Sequence, residues 1–420
     1  MTFFSIEQLF LQPIDCAIQT YAWGRVGSRS EAARLKASQS NGKFEIDEFT
    51  PYAELWIGTH PNGMSHLAQS NIEGSPVSLS SYVKSNPELH CGDESQTDLT
   101  YLLKVLSINK VLSIQAHPDK MLAQQLHAER PDVYKDPNHK PEMAIAITDD
   151  VEGMCGFRPL AEIVENLEKY SEFYDVIGVE AAENAKKLVN SPASRTVYQK
   201  LFRAYLEAPI KLVRTSLNSL LRKLRSIHQT ELDSTQILIM KLADQFPGDA
   251  GILAPFMLNH LKLKRGEGFF IGANEPHAYI GGDLVECMAC SDNVVRAGLT
   301  PKLKDVDTLV SMLTYRTSMP TITSGEKIDK CTTRYAPPVR DFAMEFINVM
   351  PGDNYIMKDV QSPAVILTLS GSANLLQGSL EPLTIGKGST AFVSANTKAL
   401  IVSGSDGVCI VRAMSNVYYD

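Results

Sequence analysis

The chain has 420 residues, of which 44% are hydrophobic and 21% charged, and carries a net charge of −8. At about 100–200 residues per domain, this predicts two or three ordinary soluble domains. The acidic balance argues against a nucleic-acid partner, which would select a basic face, and no apolar run is long enough to cross a bilayer. An anionic small molecule is still allowed, because a pocket needs only local Lys and Arg.

The N-terminal MTFFSIEQLFLQPIDC has no basic lead-in and carries Glu7 inside its apolar stretch, so no signal peptide is expected. Residues 1–157 are mixed and strand-rich. Within them, TYLLKVLSINKVLSIQAHP has two β-type runs flanking Asn109-Lys110, which predicts a tight hairpin. In the second run Ser113, Gln115 and His117 alternate with Leu112, Ile114 and Ala116, giving one polar and one apolar face. A two-residue turn would place Lys104 opposite Gln115, on that polar face. From Pro159 to about Asp244 the period changes. Val213, Leu217, Leu220, Leu224 and Ile227 recur at helical steps, and PLAEIVENLEKY and TELDSTQILIMKLADQ behave alike. An all-helical insertion is expected, closed by FPGDA. Strand character returns from Ala254. Beyond about residue 330 short strands with Gly, Ser and Asn turns predict a sandwich or jelly roll.

The seven cysteines are scattered, and Cys287 and Cys290 lack a second pair at zinc-ribbon spacing. They are expected as free thiols in a reducing cytosol.

Four segments carry the chemistry: residues 113–120 (SIQAHPDK), 138–142 (NHKPE), 274–279 (NEPHAY) and 292–300 (DNVVRAGLT). Gln115 and His117, two apart on one strand, can reach a single ion, and Glu142 and His277 would complete four nitrogen and oxygen ligands. Such a set suits zinc, manganese or iron, at a catalytic rather than a closed structural site. Spacing alone does not select these four, since His60, His139 and His260 are rival imidazoles.

SIQAHPDK, NHKPEMAIAIT, NEPHAYIGGDLVECMACSDNVVRAGLTPK and the early YAWG and ELWIGTHPNG closely resemble the type I phosphomannose isomerases, in order, from about residue 15 to the C-terminus. The resemblance implies a mostly β fold with an α-helical insertion. A cupin-type jelly-roll catalytic barrel would be built from 1–157 and 251–330, interrupted by a helical domain over 158–250 and followed by a second cupin-like β-sandwich over 331–420. It implies one zinc ion per chain, held by Gln115, His117, Glu142 and His277, with Arg296 of NVVRAG in catalysis. The implied reaction interconverts mannose 6-phosphate and fructose 6-phosphate through a cis-enediol, feeding GDP-mannose and glycosylation from the cytoplasm. A monomer is expected.

The reaction moves a proton between C1 and C2, so negative charge developing on oxygen must be stabilised and a base must act. Arg296 is assigned to the developing oxyanion or a proton relay. Glu286 is a candidate proton shuttle if it faces the metal, and Lys140 a candidate base or charged partner. Ser113, Lys104 and Lys302 are candidates for the phosphate, and Tyr279 and Asp292 for the sugar. Trp23 is lifted from core to site candidate by YAWG, whereas Trp56 is read as core. The remaining histidines, His60, His66, His90, His127, His139, His228 and His260, are read as structural. A cupin that only binds a sugar phosphate, and an iron-dependent cupin oxygenase, are the competing readings. The acid–base set disfavours the first and the glutamine ligand the second.

Overall fold

In the computed structural model, which describes residues 10–40, 42–68, 76–189 and 195–419, one sheet has two faces of different chemistry. Residues 1–9, where the absence of a leader was expected, lie outside the described residues. Side chains alternate along each strand. In Tyr101–Ile108 the odd positions Tyr101, Leu103 and Val105 join one apolar cluster, while Leu106 and Ile108 join another. Glu142–Ala146 does the same, sending Met143 and Ile145 one way and Ala144 and Ala146 the other. The central order is Gly268–Ile271, Glu142–Ala146, His277–Ala289, Tyr101–Ile108, Glu54–Ile57. The front end of His277–Ala289 pairs instead with Val151–Phe157 and Ile114–Ala116, folding the 11-stranded sheet toward itself.

Asn109-Lys110 does not close a hairpin. Tyr101–Ile108 is hydrogen-bonded on one edge to Glu54–Ile57 and on the other to His277–Ala289, so neither edge is free. Ile114–Ala116 pairs with His277 and with Val295–Gly298. The amides of Asn109 and Lys110 both donate to the Trp23 carbonyl, which turns the chain away. Lys104 therefore lies opposite Glu286 and Trp56, not Gln115, and does not share a strand face with Ser113. A local turn signal does not register that distant segments already occupy both edges of the strand.

Helices run from Leu160–Lys169 to Ser234–Gln245. In Ile210–Arg225 the buried positions include Val213, Leu217, Leu220 and Leu224, as the spacing requires. Asp233 and Gln236 cap Ser234–Gln245 reciprocally. These helices share one core with Phe157, Ala278, Ile280, Val295 and Leu299 of the sheet. Phe256, fully buried, packs its ring 4.5 Å from Tyr170 and 5.0 Å from Phe173, joining the last 3-10 turn to the helices.

The C-terminal strands form a second, 10-stranded antiparallel sheet centred on Ala364–Leu376 and Ala399–Met414. Val365, Leu367, Phe392 and Val411 pack onto the first sheet through Leu103, Val105 and Val285. Ile366, Leu375, Ile401 and Ile410 build a separate core behind. The strand Leu11–Asp15 belongs to this second sheet, pairing with Thr390–Val393 across almost the whole length of the chain. All seven cysteines are free thiols.

Phe256→Ala removes a ring at the junction of helices and barrel. It is expected to lower unfolding free energy by about 3–5 kcal/mol, read as a fall in the urea midpoint.

A candidate metal centre on the inner face of the sheet

His117, Glu142 and His277 come from three different segments, and their ligand atoms all lie within 4.8 Å of one another. All three side chains are buried. His117 Nε2 is 3.2 Å from Glu142 Oε1, and His277 Nε2 is 3.4 Å from Glu142 Oε2. Close as they are, neither nitrogen has a hydrogen-bond partner among the described residues, so both approaches are misdirected for a direct bond. Two buried nitrogens without partners beside a carboxylate are costly unless a third body satisfies them.

The rings are held from behind. His117 Nδ1 is 2.6 Å from the Asn293 carbonyl and His277 Nδ1 is 3.0 Å from the Glu275 carbonyl. A proton on each Nδ1 leaves Nε2 as a lone pair, the arrangement that backs metal-ligating imidazoles. Burial first, then the nearby Lys140 charge, depresses the His117 pKa to about 4 despite the opposing pull of Glu142. Burial alone would raise Glu142, but His117 and Lys140, whose Nζ is 3.4 Å from Oε1, hold it well below the usual carboxylate range. A buried carboxylate and two imidazole nitrogens fit a divalent cation, and a set without thiolate suits zinc among others. Gln115 is in register with His277 on one side and Arg296 on the other, so it stands beside this group, and among the described residues its side chain makes no hydrogen bond.

Glu286 reaches the same face through a defect. It lies nine residues after His277, and in a regular strand an odd separation puts two side chains on opposite faces. The register of His277–Ala289 slips where Glu152 faces Gly281 and Gly153 faces Tyr279. Gly282 there has φ of +98°, and a Cβ on it would meet Val151 at 2.6 Å. This Gly-Gly bulge flips the alternation, so Glu286 joins His277 and Tyr279. The Tyr279 hydroxyl donates to Glu142 Oε2 at 3.4 Å. Burial, then repulsion from Glu142, raises the Glu286 pKa against the attraction of Lys104.

Lys104 is buried, with its Nζ 3.3 Å from Glu286, 3.8 Å from Glu54 and 4.7 Å from the Trp56 ring centroid. Burial opposes its charge, but Glu54, Glu286 and Glu142 outweigh this and hold it above the usual lysine range. Glu54 also accepts from the Trp56 indole. At the edge, Asp292 Oδ1 is 3.3 Å from His60 Nε2, and Asn62 Nδ2 donates to Asp292 Oδ2 at 3.0 Å. Arg296 is half-buried, and among the described residues its guanidinium makes no hydrogen bond or ion pair. The Ser113 hydroxyl is likewise free of protein partners. Lys302 is exposed beyond the end of Val295–Gly298, and no contact joins it to the group. Trp23 packs into the apolar cluster around Leu106, Ile108 and Tyr279.

The sequence reading passed over Glu54 and the role of Trp56 and His60, although all three stand in ELWIGTH. Strand alternation, applied to Glu54 and Trp56 as it was to Gln115 and His117, would have put both on one face. Asn293 was missed because it acts through a backbone carbonyl. A cavity of about 780 Å³ lined by Arg25, Arg29, Arg34, Asp150, Lys241 and Asp283, among others, shares no residue with this centre. Its Arg25 is already paired with Asp283 and Asp150, both at 2.7 Å.

Residues 11–160 match the family described as phosphomannose isomerase type I, catalytic domain, and residues 176–258 its helical insertion domain. Mannose-6-phosphate isomerase of Homo sapiens is 41% identical over 91% of this chain and 93% of its own. Mannose-6-phosphate isomerase 2 of Arabidopsis thaliana is 38% identical over 96% of this chain and 93% of its own. A mutant phosphomannose isomerase from Salmonella typhimurium superposes with a TM-score of 0.82 at 27% identity, over 97% of this chain and all of that one. A zinc-bound mannose 6-phosphate isomerase gives 0.80 at 28%, with the same coverage.

Lys104→Met leaves Glu54 and Glu286 buried without their cation. It is expected to cost about 3–5 kcal/mol in urea unfolding, and Glu54→Gln in the same chain to recover part of that. A Lys104→Met protein as stable as the parent would contradict the charge network.

Proposed function

Since the chain belongs to the type I phosphomannose isomerase family, we propose that His117, Glu142 and His277, with Gln115, hold its zinc ion and form the centre of the isomerase site. The chain is a mannose-6-phosphate isomerase and uses zinc. The observation that carries the assignment of residues is the convergence of three buried ligand atoms, two of them lacking any other partner.

Converting the aldose to the ketose transfers the C2 hydrogen to C1 as a proton and the hydroxyl proton from O2 to O1, through a cis-enediol. When bound, zinc supplies Lewis-acid stabilisation and orientation of a sugar oxygen. Glu286 takes the proton from C2 and returns it to C1. Its pKa, raised by burial and by Glu142, suits a group that must both accept and release a proton. Lys104 and Glu54 keep that carboxyl in place. Lys140, close to the ionised Glu142, acts as a charged partner to oxygen rather than as the base. Arg296 lies beside Gln115 with its guanidinium uncommitted; burial lowers its pKa, but the group stays charged. It is placed to donate to the oxyanion as charge develops. Tyr279 and Asp292 contact the sugar. Lys104 is engaged by two carboxylates, so Ser113 and Lys302 are the remaining phosphate partners.

The chain divides into the catalytic unit of 1–157 and 251–330, the helical domain of 158–250 and the C-terminal domain of 331–420, with Leu11–Asp15 lent to the last. It works as a cytoplasmic monomer without a nucleic-acid partner, supplying mannose for GDP-mannose. Among the described residues no helix is long and apolar enough to cross a membrane.

Removing metal with a chelator should abolish conversion of mannose 6-phosphate, and zinc should restore it. Full activity in verified metal-free protein would refute the assignment. Arg296→Ala should lower turnover by at least a few hundredfold, from an oxyanion donor worth about 3–4 kcal/mol, with zinc content and melting nearly unchanged. Loss of zinc in that variant would make Arg296 structural.

A further inference from the structure

His117 directly follows the strand Ile114–Ala116 and His277 opens the strand His277–Ala289, and one side chain ties together the loops that flank them. Asn274, three residues before His277, has φ of +63°, in the left-handed region that asparagine tolerates better than most residues. That conformation aims its backbone N–H at the His117 carbonyl, 2.7 Å away. Its side chain then closes a two-way clasp on Asp119: the Asp119 N–H donates to Asn274 Oδ1 at 3.2 Å, and Asn274 Nδ2 donates to Asp119 Oδ2 at 2.9 Å. The Asn274 carbonyl accepts from the Thr314 N–H at 3.0 Å, fixing the loop from a third direction. Asp119 is itself anchored as the N-cap of Lys120–Glu129, accepting from the Leu122 N–H. The next carbonyl along the Asn274 loop, that of Glu275, is the one that orients the His277 ring.

We infer that Asn274 is a positioning residue for the metal: its clasp on Asp119 sets the separation of His117 and His277 before the ion arrives. The inference rests on the assignment of those histidines as ligands. The physical need is plain. Among the described residues the Nε2 atoms have no hydrogen-bond partner to hold them at ligand distance. Without the clasp the two segments are joined near the ligands by the His277–Gln115 strand pairing and the Asn274 N–H, and zinc must fix the freedom that the side-chain clasp had removed. The ordering cost then appears as weaker affinity. Outer partners of this kind change metal affinity by about 10–100-fold when removed.

The test is zinc affinity of the full chain, measured by competition with a chelator of known strength at 25 °C, beside far-UV circular dichroism and the melting of the metal-free protein. Asn274→Gly keeps the positive φ and the N–H to His117 but removes the side-chain clasp. It is expected to raise the zinc Kd at least tenfold with the fold retained. Asp119→Ser, which can still cap the helix but is too short to accept from Asn274 Nδ2, is expected to act in the same direction and adds a reading should the glycine variant not fold. Combining the two should cost little more than the worse of them. His277→Ala checks the assignment underneath: it should abolish tight zinc binding. If His277→Ala binds zinc as the parent does, the centre itself is misplaced. If it loses zinc while folded Asn274→Gly or Asp119→Ser keeps an affinity within twofold of the parent, the clasp is merely structural, whatever happens to melting, and the inference fails.

Discussion

A carboxylate with both oxygens buried beside imidazole nitrogens that bond to nothing else is the constraint around which this structure is arranged. Glu142 is 1% exposed, and burying an ionised carboxylate is costly unless cations surround it. Lys140 supplies one. Burial works against a charge on His117, so it is poorly suited to supply the rest. The convergence of Glu142, His117 and His277 is therefore a strained arrangement for the protein alone and a favourable one around zinc.

Holding such a group requires a rigid platform, and the two-sheet architecture provides it. The central strands turn Leu, Val, Ile and Met toward the second sheet, while their other face carries the polar side chains of the site beside a separate apolar cluster. The hydroxyl of Tyr101 fastens that contact, lying 2.9 Å from the Ala413 carbonyl and 3.1 Å from that of Pro363. The C-terminal sheet thus acts as the backing of the site. The helices brace the other end, where Ala278 and Val295, one next to His277 and the other next to Arg296, enter the helical core. Within the site, Lys104 repeats the Glu142 problem with reversed sign: one buried ammonium between two buried carboxylates, with Trp56 as a further face. The proximity of Glu142 to Glu286 couples the two clusters, so the charge state of the metal group bears on the group proposed to move the proton.

What the sequence disclosed follows the range of the forces involved. Helical periodicity is local, and Val213, Leu217, Leu220 and Leu224 point where their spacing says. Alternation within one strand is local too, which is why Gln115 and His117 could be paired by inspection. Strand partners are not local: the Asn109-Lys110 turn was credible until both edges of Tyr101–Ile108 proved to be taken. The position of Glu286 depended on a bulge that reverses parity, and its one written sign was the Gly281-Gly282 pair. Glu54 and His60 carried no signal as single residues. Their role emerges only when Lys104 and Asp292 are brought to them from distant parts of the chain. The Asn293 and Glu275 carbonyls that orient the histidines belong to the backbone and leave no mark in residue type.

The central claim is that nitrogen and oxygen side chains, two of them imidazoles, hold one zinc ion on the inner face of the first sheet. X-ray absorption at the zinc edge of the purified protein tests this most directly. The account predicts a shell of nitrogen and oxygen at about 2.0–2.2 Å with the multiple scattering of two imidazoles. It would be contradicted by sulfur at about 2.3 Å, which would move the metal to the cysteines and leave Glu142 and its two histidines without an ion.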